Sequence, residues 1–288
     1  MLLPEYPGED RKAQALLSLE QVGGPVVRAL SVAARFGIST MLGAVVGNDP
    51  AGEGCSATLE SRGCSMARVA VSRSGTTRRS HVWVSAKSGS RTIAYSEDPN
   101  LEPLAVTPGL RNDVRSAIAL HLDGREMDVA LNLASDARAA RTTVVVDAGG
   151  WKPGLDRLVN LADYLVVSET VLRERNSEHP LGTACGLLRS CRDLEAVLLT
   201  SGAEGTTIVG RRGITHVPVV NVEVVDTNGA GDAFCGGFLA GLILGRDLAS
   251  AALLGSGVAA AVCSRFGDHF PSLEEVDALA LSSLAETE

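Results

Sequence analysis

From Val114 onward, strand-like and helix-like patterns alternate along the chain, and few architectures accept that order. Residues 116–122, 142–148, 164–167 and 194–200 read as strands, with residues 125–140 and 155–161 as helices between them. Strands that alternate with helices are the mark of βαβ units and a parallel sheet. Composition agrees, because 45% of the residues are hydrophobic but only 3% aromatic, so the core must be built from Ala, Val and Leu. Such residues suit a sheet covered by helices on both faces. At 288 residues the chain suits one large α/β domain spanning 1–288.

The first third reads differently. After a strand-like run at 13–22, Gly23-Gly24-Pro25 breaks the chain and apolar residues recur at helical spacing over 26–36. A strand over 39–46, a turn at Asn48-Asp49-Pro50 and a helix over 52–62 follow. Short strands at 66–71, 77–86 and 91–95 are separated by Ser-Gly turns. Ligands of open parallel sheets sit at the carboxyl ends of strands, where His121, Asp123, Asp147 and Glu169 fall. Each also suits a turn or a cap.

A net charge of −8 argues against a nucleic-acid surface, which needs a basic footprint. The six cysteines, at 55, 64, 185, 191, 235 and 263, show neither a C-x-x-C pair nor zinc-type spacing, and read as reduced thiols. No signal sequence or membrane span is evident, so a soluble, cytoplasmic protein is expected, with a small molecule as partner and no membrane. No G-x-G-x-x-G follows a first strand, which disfavours a dinucleotide-dependent dehydrogenase.

Chemistry concentrates in one turn. A β-rich run over 217–225 meets Asp226-Thr227-Asn228-Gly229-Ala230-Gly231-Asp232, and an apolar helix opens at Ala233. Glycines let the backbone approach a ligand, and a helix start offers unpaired N–H groups and partial positive charge to an anion. A carboxylate such as Asp232 beside an anion site suits a general base for a hydroxyl attacking a phosphoryl group. Equally, Asp232 could serve as a helix cap.

The string DTNGAGDAF resembles the second signature of the ribokinase-like (PfkB) sugar kinases, DTxGAGD followed by an apolar helix. GGPVVRALSVAARFG resembles the family's first glycine motif, LLTSGAEGTTIV its ATP-side strand-turn-strand, and SETVLRERN its NxxE region. EYPGED and SETVLRE look nearest to the ketohexokinase and sulfofructose kinase branch. The resemblance implies a three-layer α/β/α fold with a mainly parallel sheet and a small β-lid, its strands drawn from about 11–22 and 66–96. It implies an ATP-dependent sugar kinase using Mg²⁺, with a ketohexose-like acceptor and a homodimer through the lid. A relative that keeps binding but has lost turnover is the alternative.

By the same resemblance Asp232 is the catalytic base and Gly229, Ala230 and Gly231 form the anion hole. Thr200, Gly202, Gly205, Asp226 and Thr227 would bind ATP, Gly23, Gly24 and Arg28 the substrate, and Glu169 would stand in the outer shell of Mg²⁺. Three departures stand out. Arg28 occupies the family's Asn position and reads as an exposed helix arginine, or as a partner for an anionic substrate group. Ser168 replaces Asn and Val171 a second Glu in the NxxE region. The sequence starts where the family's first strand, with its sugar-binding Asp, would end, so that strand is expected to be missing here, either because the start is placed late or because the strand is lost.

Overall fold

The computed structural model describes residues 1–175 and 178–285, with side chains through residue 279. Two units are formed: Met1–Glu102 with Val220–Gly236 and Gly257–Glu288, and Pro103–Val219 with Gly237–Ser256.

The first unit opens with β1 (Leu2–Leu3), α1 (Pro25–Arg35), β2 (Thr40–Gly47), α2 (Pro50–Ser61), β3 (Cys64–Ser72), β4 (Arg79–Ser85) and β5 (Arg91–Ser96). Pro25 and Pro50 begin α1 and α2, where a missing N–H does no harm. Asp49 caps α2 by accepting from the Gly52 N–H at 2.8 Å. β2 and β3 pair in parallel, and a separate sheet runs β1-β4-β5. Val22, Leu42, Leu59 and Cys64 make a small core here.

Residues 13–22 are not a strand, contrary to the sequence expectation. Only a bridge from Leu2 to Leu17 forms there. Consecutive Leu16 and Leu17 break the two-residue alternation, and Leu16, Leu17 and Leu19 are all more than half exposed, so no buried face holds a register.

The second unit carries the alternation. It comprises α3 (Pro108–Ser116), β6 (Ala119–Leu122), α4 (Met127–Ala140), β7 (Thr143–Ala148), α5 (Leu155–Val159), β8 (Tyr164–Ser168), α6 (Glu169–Glu174), α7 (Pro180–Ser190), β9 (Ala196–Thr200), β10 (Thr206–Gly210) and β11 (Gly213–Val217). Its six strands lie in the order β6-β7-β8-β9-β10-β11. The first four are parallel, and β10 and β11 add antiparallel strands. Val144, Val146, Leu165, Val167, Val197 and Leu199 from the three central strands share one core with α4, α5 and α7. The strand expected over 116–122 begins later because α3, capped by Thr107 on the Leu110 N–H, runs to Ser116.

The run over 217–225 also departs from expectation. The ladder ends at Val217, since Pro218 has no N–H to continue it. The Val225 N–H instead donates to the Cys263 carbonyl at 2.8 Å. Three helices close the chain: α8 (Ala230–Ile243), α9 (Leu248–Cys263) and α10 (Leu273–Ala285). Because α8 starts at Ala230 and not at Ala233, Asp232 lies inside its first turn.

Candidate active site

In the first unit the turn before α8 is fixed from three directions. Asp226 is buried, and its Oδ1 accepts from the Asn228 N–H at 2.8 Å while Oδ2 accepts from the Gly267 N–H at 3.2 Å. Both oxygens are thereby engaged in holding the turn. Thr227 donates its N–H and hydroxyl to the Gly89 carbonyl, at 3.1 and 2.9 Å. Arg91 on β5 donates to the Thr227 hydroxyl at 3.4 Å. The Ala230 N–H turns back to the Thr227 carbonyl at 3.3 Å, and Gly231 is exposed at the helix start.

Arg28 is the main correction to the sequence reading. It is 5% exposed, not a surface arginine. Its Nη1 lies 2.9 Å from Asp268 Oδ1 and its Nε 3.9 Å from Asp232 Oδ2. The contact with Asp268 is a charge contact, because Oδ1 is buried without a well-directed hydrogen bond. Asp268 Oδ2 in turn accepts from Arg62 Nη2 at 3.2 Å, and the Arg62 guanidinium lies 4.6 Å from the Phe270 ring centre. Removing one member of a buried ion pair costs about 3–5 kcal/mol, because the other is left uncompensated.

Two glycines make this placement fit. Gly236 brings α8 against α1, where a Cβ would lie 2.7 Å from the Ala29 carbonyl oxygen. One residue earlier on α1, Arg28 then reaches the turn. There Gly229, at φ 80°, would place a Cβ 2.4 Å from Arg28 Nη1. Any side chain at 229 would be strained and would also expel the guanidinium. Gly23 and Gly24 are exposed just ahead of α1, with Gly24 as its N-cap.

In the second unit Thr200 ends β9, and residues 202–204 form a short 3-10 turn into Gly205 and β10. The Ser201 N–H donates to the Gly205 carbonyl at 2.9 Å, closing the loop. Thr200 is paired with Ser168 on β8, which sets Glu169 beside it. Glu169 Oε1 accepts from the Ser201 hydroxyl at 3.0 Å, and Oε2 from Arg173 at 3.1 Å. Ser168, read from the resemblance as standing in an Asn position, caps α6 through the Val171 N–H. The last residue of that motif, Asn176, lies outside the described residues. His121 is buried, and burial holds its pKa below the ordinary value, so the ring is neutral. Arg62, Arg91, Asp268, Ser201 and Arg173 were not anticipated from the sequence. Asp268 carried one signal, its place in GDHFP just after a helix.

Residues 21–275 match the family described as pfkB family carbohydrate kinase. The chain belongs to that family. Among curated relatives, a Saccharomyces cerevisiae adenosine kinase is 42% identical over 81 residues, 27% of this chain and 24% of that protein. A Haloferax volcanii 1-phosphofructokinase is 35% identical over 148 residues, 49% of this chain and 47% of that protein. The aligned stretch thus spans less than half of each. Among solved structures, the Thermotoga maritima ribokinase superposes with a TM-score of 0.80 at 22% identity, covering 96% of this chain and 94% of that one. Arabidopsis thaliana ribokinase, solved with ribose and ATP, gives 0.81 at 20% identity, covering 97% and 94%. These two likenesses show the ribokinase fold.

Proposed function

We propose that the chain is an ATP-dependent kinase that transfers a phosphoryl group to a hydroxyl of a sugar or a sugar moiety, with a ketohexose-like acceptor as the finer reading. One observation carries it: Asp232 stands in the first turn of α8, directly after Gly229-Ala230-Gly231. In this reading Asp232 accepts the proton of the attacking hydroxyl, whose oxygen forms the new bond to the γ-phosphorus as the bond from that phosphorus to the β–γ bridging oxygen breaks and ADP leaves with its electron pair. The N–H groups of Gly229 and Gly231, and that of Ala230 once it leaves the Thr227 carbonyl, face the charge that develops on the transferred group. Thr200, Gly202 and Gly205 serve ATP from the β9–β10 loop, and Gly23 and Gly24 serve the acceptor directly, with the buried Arg28 acting on it only through Asp232. Asp226 and Thr227 contribute by fixing the turn.

Among the described residues no group of three or more His, Cys, Asp or Glu side chains is placed to hold a metal. Mg²⁺ carried on nucleotide phosphates keeps most of its waters and needs few protein ligands. Glu169 would hold such waters, and when bound the ion neutralises phosphate charge. Support also comes from an E. coli ribokinase-like structure solved with ATP and Mg²⁺.

A binding protein without turnover is the second reading, favoured by the guanidinium of Arg28 packed at Asp232. Asp232→Asn separates the two. Kinase action predicts ADP release with Mg-ATP and a panel of ketoses, aldoses, sugar phosphates and nucleosides, falling by at least about a hundredfold in the variant while ATP binding persists. Near-normal turnover in Asp232→Asn would sink the base assignment. A homodimer through β4 and β5 completes the proposal, supported by Ile93 and Tyr95, which are 47% and 68% exposed on β5. Sedimentation velocity should show a dimer that Tyr95→Arg dissociates, and a monomer at every concentration would refute it. Among the described residues no helix is long and apolar enough to cross a membrane.

A further inference from the structure

The four charges Arg28, Arg62, Asp268 and Asp232 form one chain, and their sum is zero. Arg28 is clamped at several points: to Asp268 at 2.9 Å, to the Asn228 carbonyl at 3.5 Å, and above Gly229, whose missing side chain makes its room. A side chain fixed this way presents its charge at a constant place, and that place is 3.9 Å from Asp232 Oδ2. Asp232 itself is one-quarter exposed, while Arg28 and Asp268 are 6% and 8% exposed, so the field acts from the buried side.

We propose that Arg28 is a positioning residue for Asp232, holding that carboxylate ionised and aimed, and that Asp268 sets how much of the Arg28 charge Asp232 feels. The inference rests on the reading of Asp232 as the base. A cation beside a carboxylate favours its ionised form and so weakens it as a base. Asp268 opposes the cation, and Arg62 partly restores it. The charged groups around the turn are Arg28 on α1, Arg91 on β5, Asp226 within it and Asp268 after α9, with Arg62 at the end of α2 behind Asp268. Only Arg28 and Asp268 are exchanged in the test.

The experiment is a carbon-13 NMR titration of aspartate carboxylates in the full chain, with the Asp232 signal assigned by its loss in Asp232→Asn. Its midpoint should rise in Arg28→Gln and fall in Asp268→Asn, opposite directions that a merely structural pair would not produce. Where Arg28→Gln does not fold, Arg28→Lys replaces it. The ammonium is expected to stay with the buried Asp268, the shorter of the two contacts, so the midpoint rises there too. Midpoints that stay put, or that move in the same direction in the Arg28 and Asp268 variants, overturn the proposal while leaving the base reading intact. Retained turnover in Asp232→Asn overturns both.

Discussion

Replacing Gly236 by Ala tests whether the approach of α8 to α1 is what assembles the site. The added Cβ would lie 2.7 Å from the Ala29 carbonyl oxygen and 2.9 Å from both Ala29 Cα and Val32 Cβ. Ordinary contact begins near 3.4 Å, so the helices must part by about 3.4 − 2.7 = 0.7 Å at this point. Overpacking of this kind costs about 1–3 kcal/mol, against about 1 kcal/mol returned by the better helix propensity of Ala. The net loss of up to about 2 kcal/mol lowers Tm by a few degrees. Function should suffer more than stability. The same parting draws Arg28 away from Asp232 and Gly229, and a shift near 1 Å at a reacting group costs up to about a hundredfold in rate. The control is Gly186→Ala on α7, where no atom lies within 4 Å of the new Cβ, and it should stabilise by about 1 kcal/mol. Calorimetry and turnover on both variants decide the matter. If Gly236→Ala is stabilised like the control and keeps its rate, close packing of α1 on α8 does not position the site.

Two further expectations concern the scaffold. Phe238 is fully buried and meets the Tyr164 ring edge-on at 5.6 Å, so Phe238→Ala should cost about 3–5 kcal/mol in denaturant unfolding, and a loss below about 1 kcal/mol would mean that the cavity collapses. The pKa of Asp49 is held below its ordinary value, first by the Thr77 hydroxyl, then by the Thr77 and Gly52 N–H groups. A depressed carboxylate stabilises the fold above its unfolded pKa, and that contribution drains away as pH falls from about 4 toward the folded value. Unfolding midpoints measured down that window should converge for wild type and Thr77→Val, and parallel curves would contradict the assignment.

How much of this was legible depended on whether the determinant was local. The run Thr143–Ala148, TVVVDA, reads as a buried strand because its own residues are apolar in sequence, and it is one. The turn from Asp226 to Asp232 is equally local, and the structure puts Asp232 in the first helical turn. Residues 217–225 misled because β-branched side chains report a preference for burial, whereas a ladder also needs a partner and an N–H, and Pro218 has none. The cap residue Ser168 was readable only as a missing Asn, although a Ser before an acidic first turn is itself a helix start.

Arg28 marks the limit of local reading. Helical periodicity places it on α1 but says nothing of which face meets α8, and that face is decided by Gly229 and Gly236, some two hundred residues away. A buried guanidinium also requires a carboxylate, because its desolvation would otherwise cost several kcal/mol. The carboxylate is Asp268, which the sequence offers only as part of a loop after α9. The unit at this position is therefore not one residue but an arginine and its counter-ion. An arginine at position 28 in a relative without a carboxylate equivalent to Asp268 should either rise to the surface or pair fully with the base, and in the second case the base would be silenced.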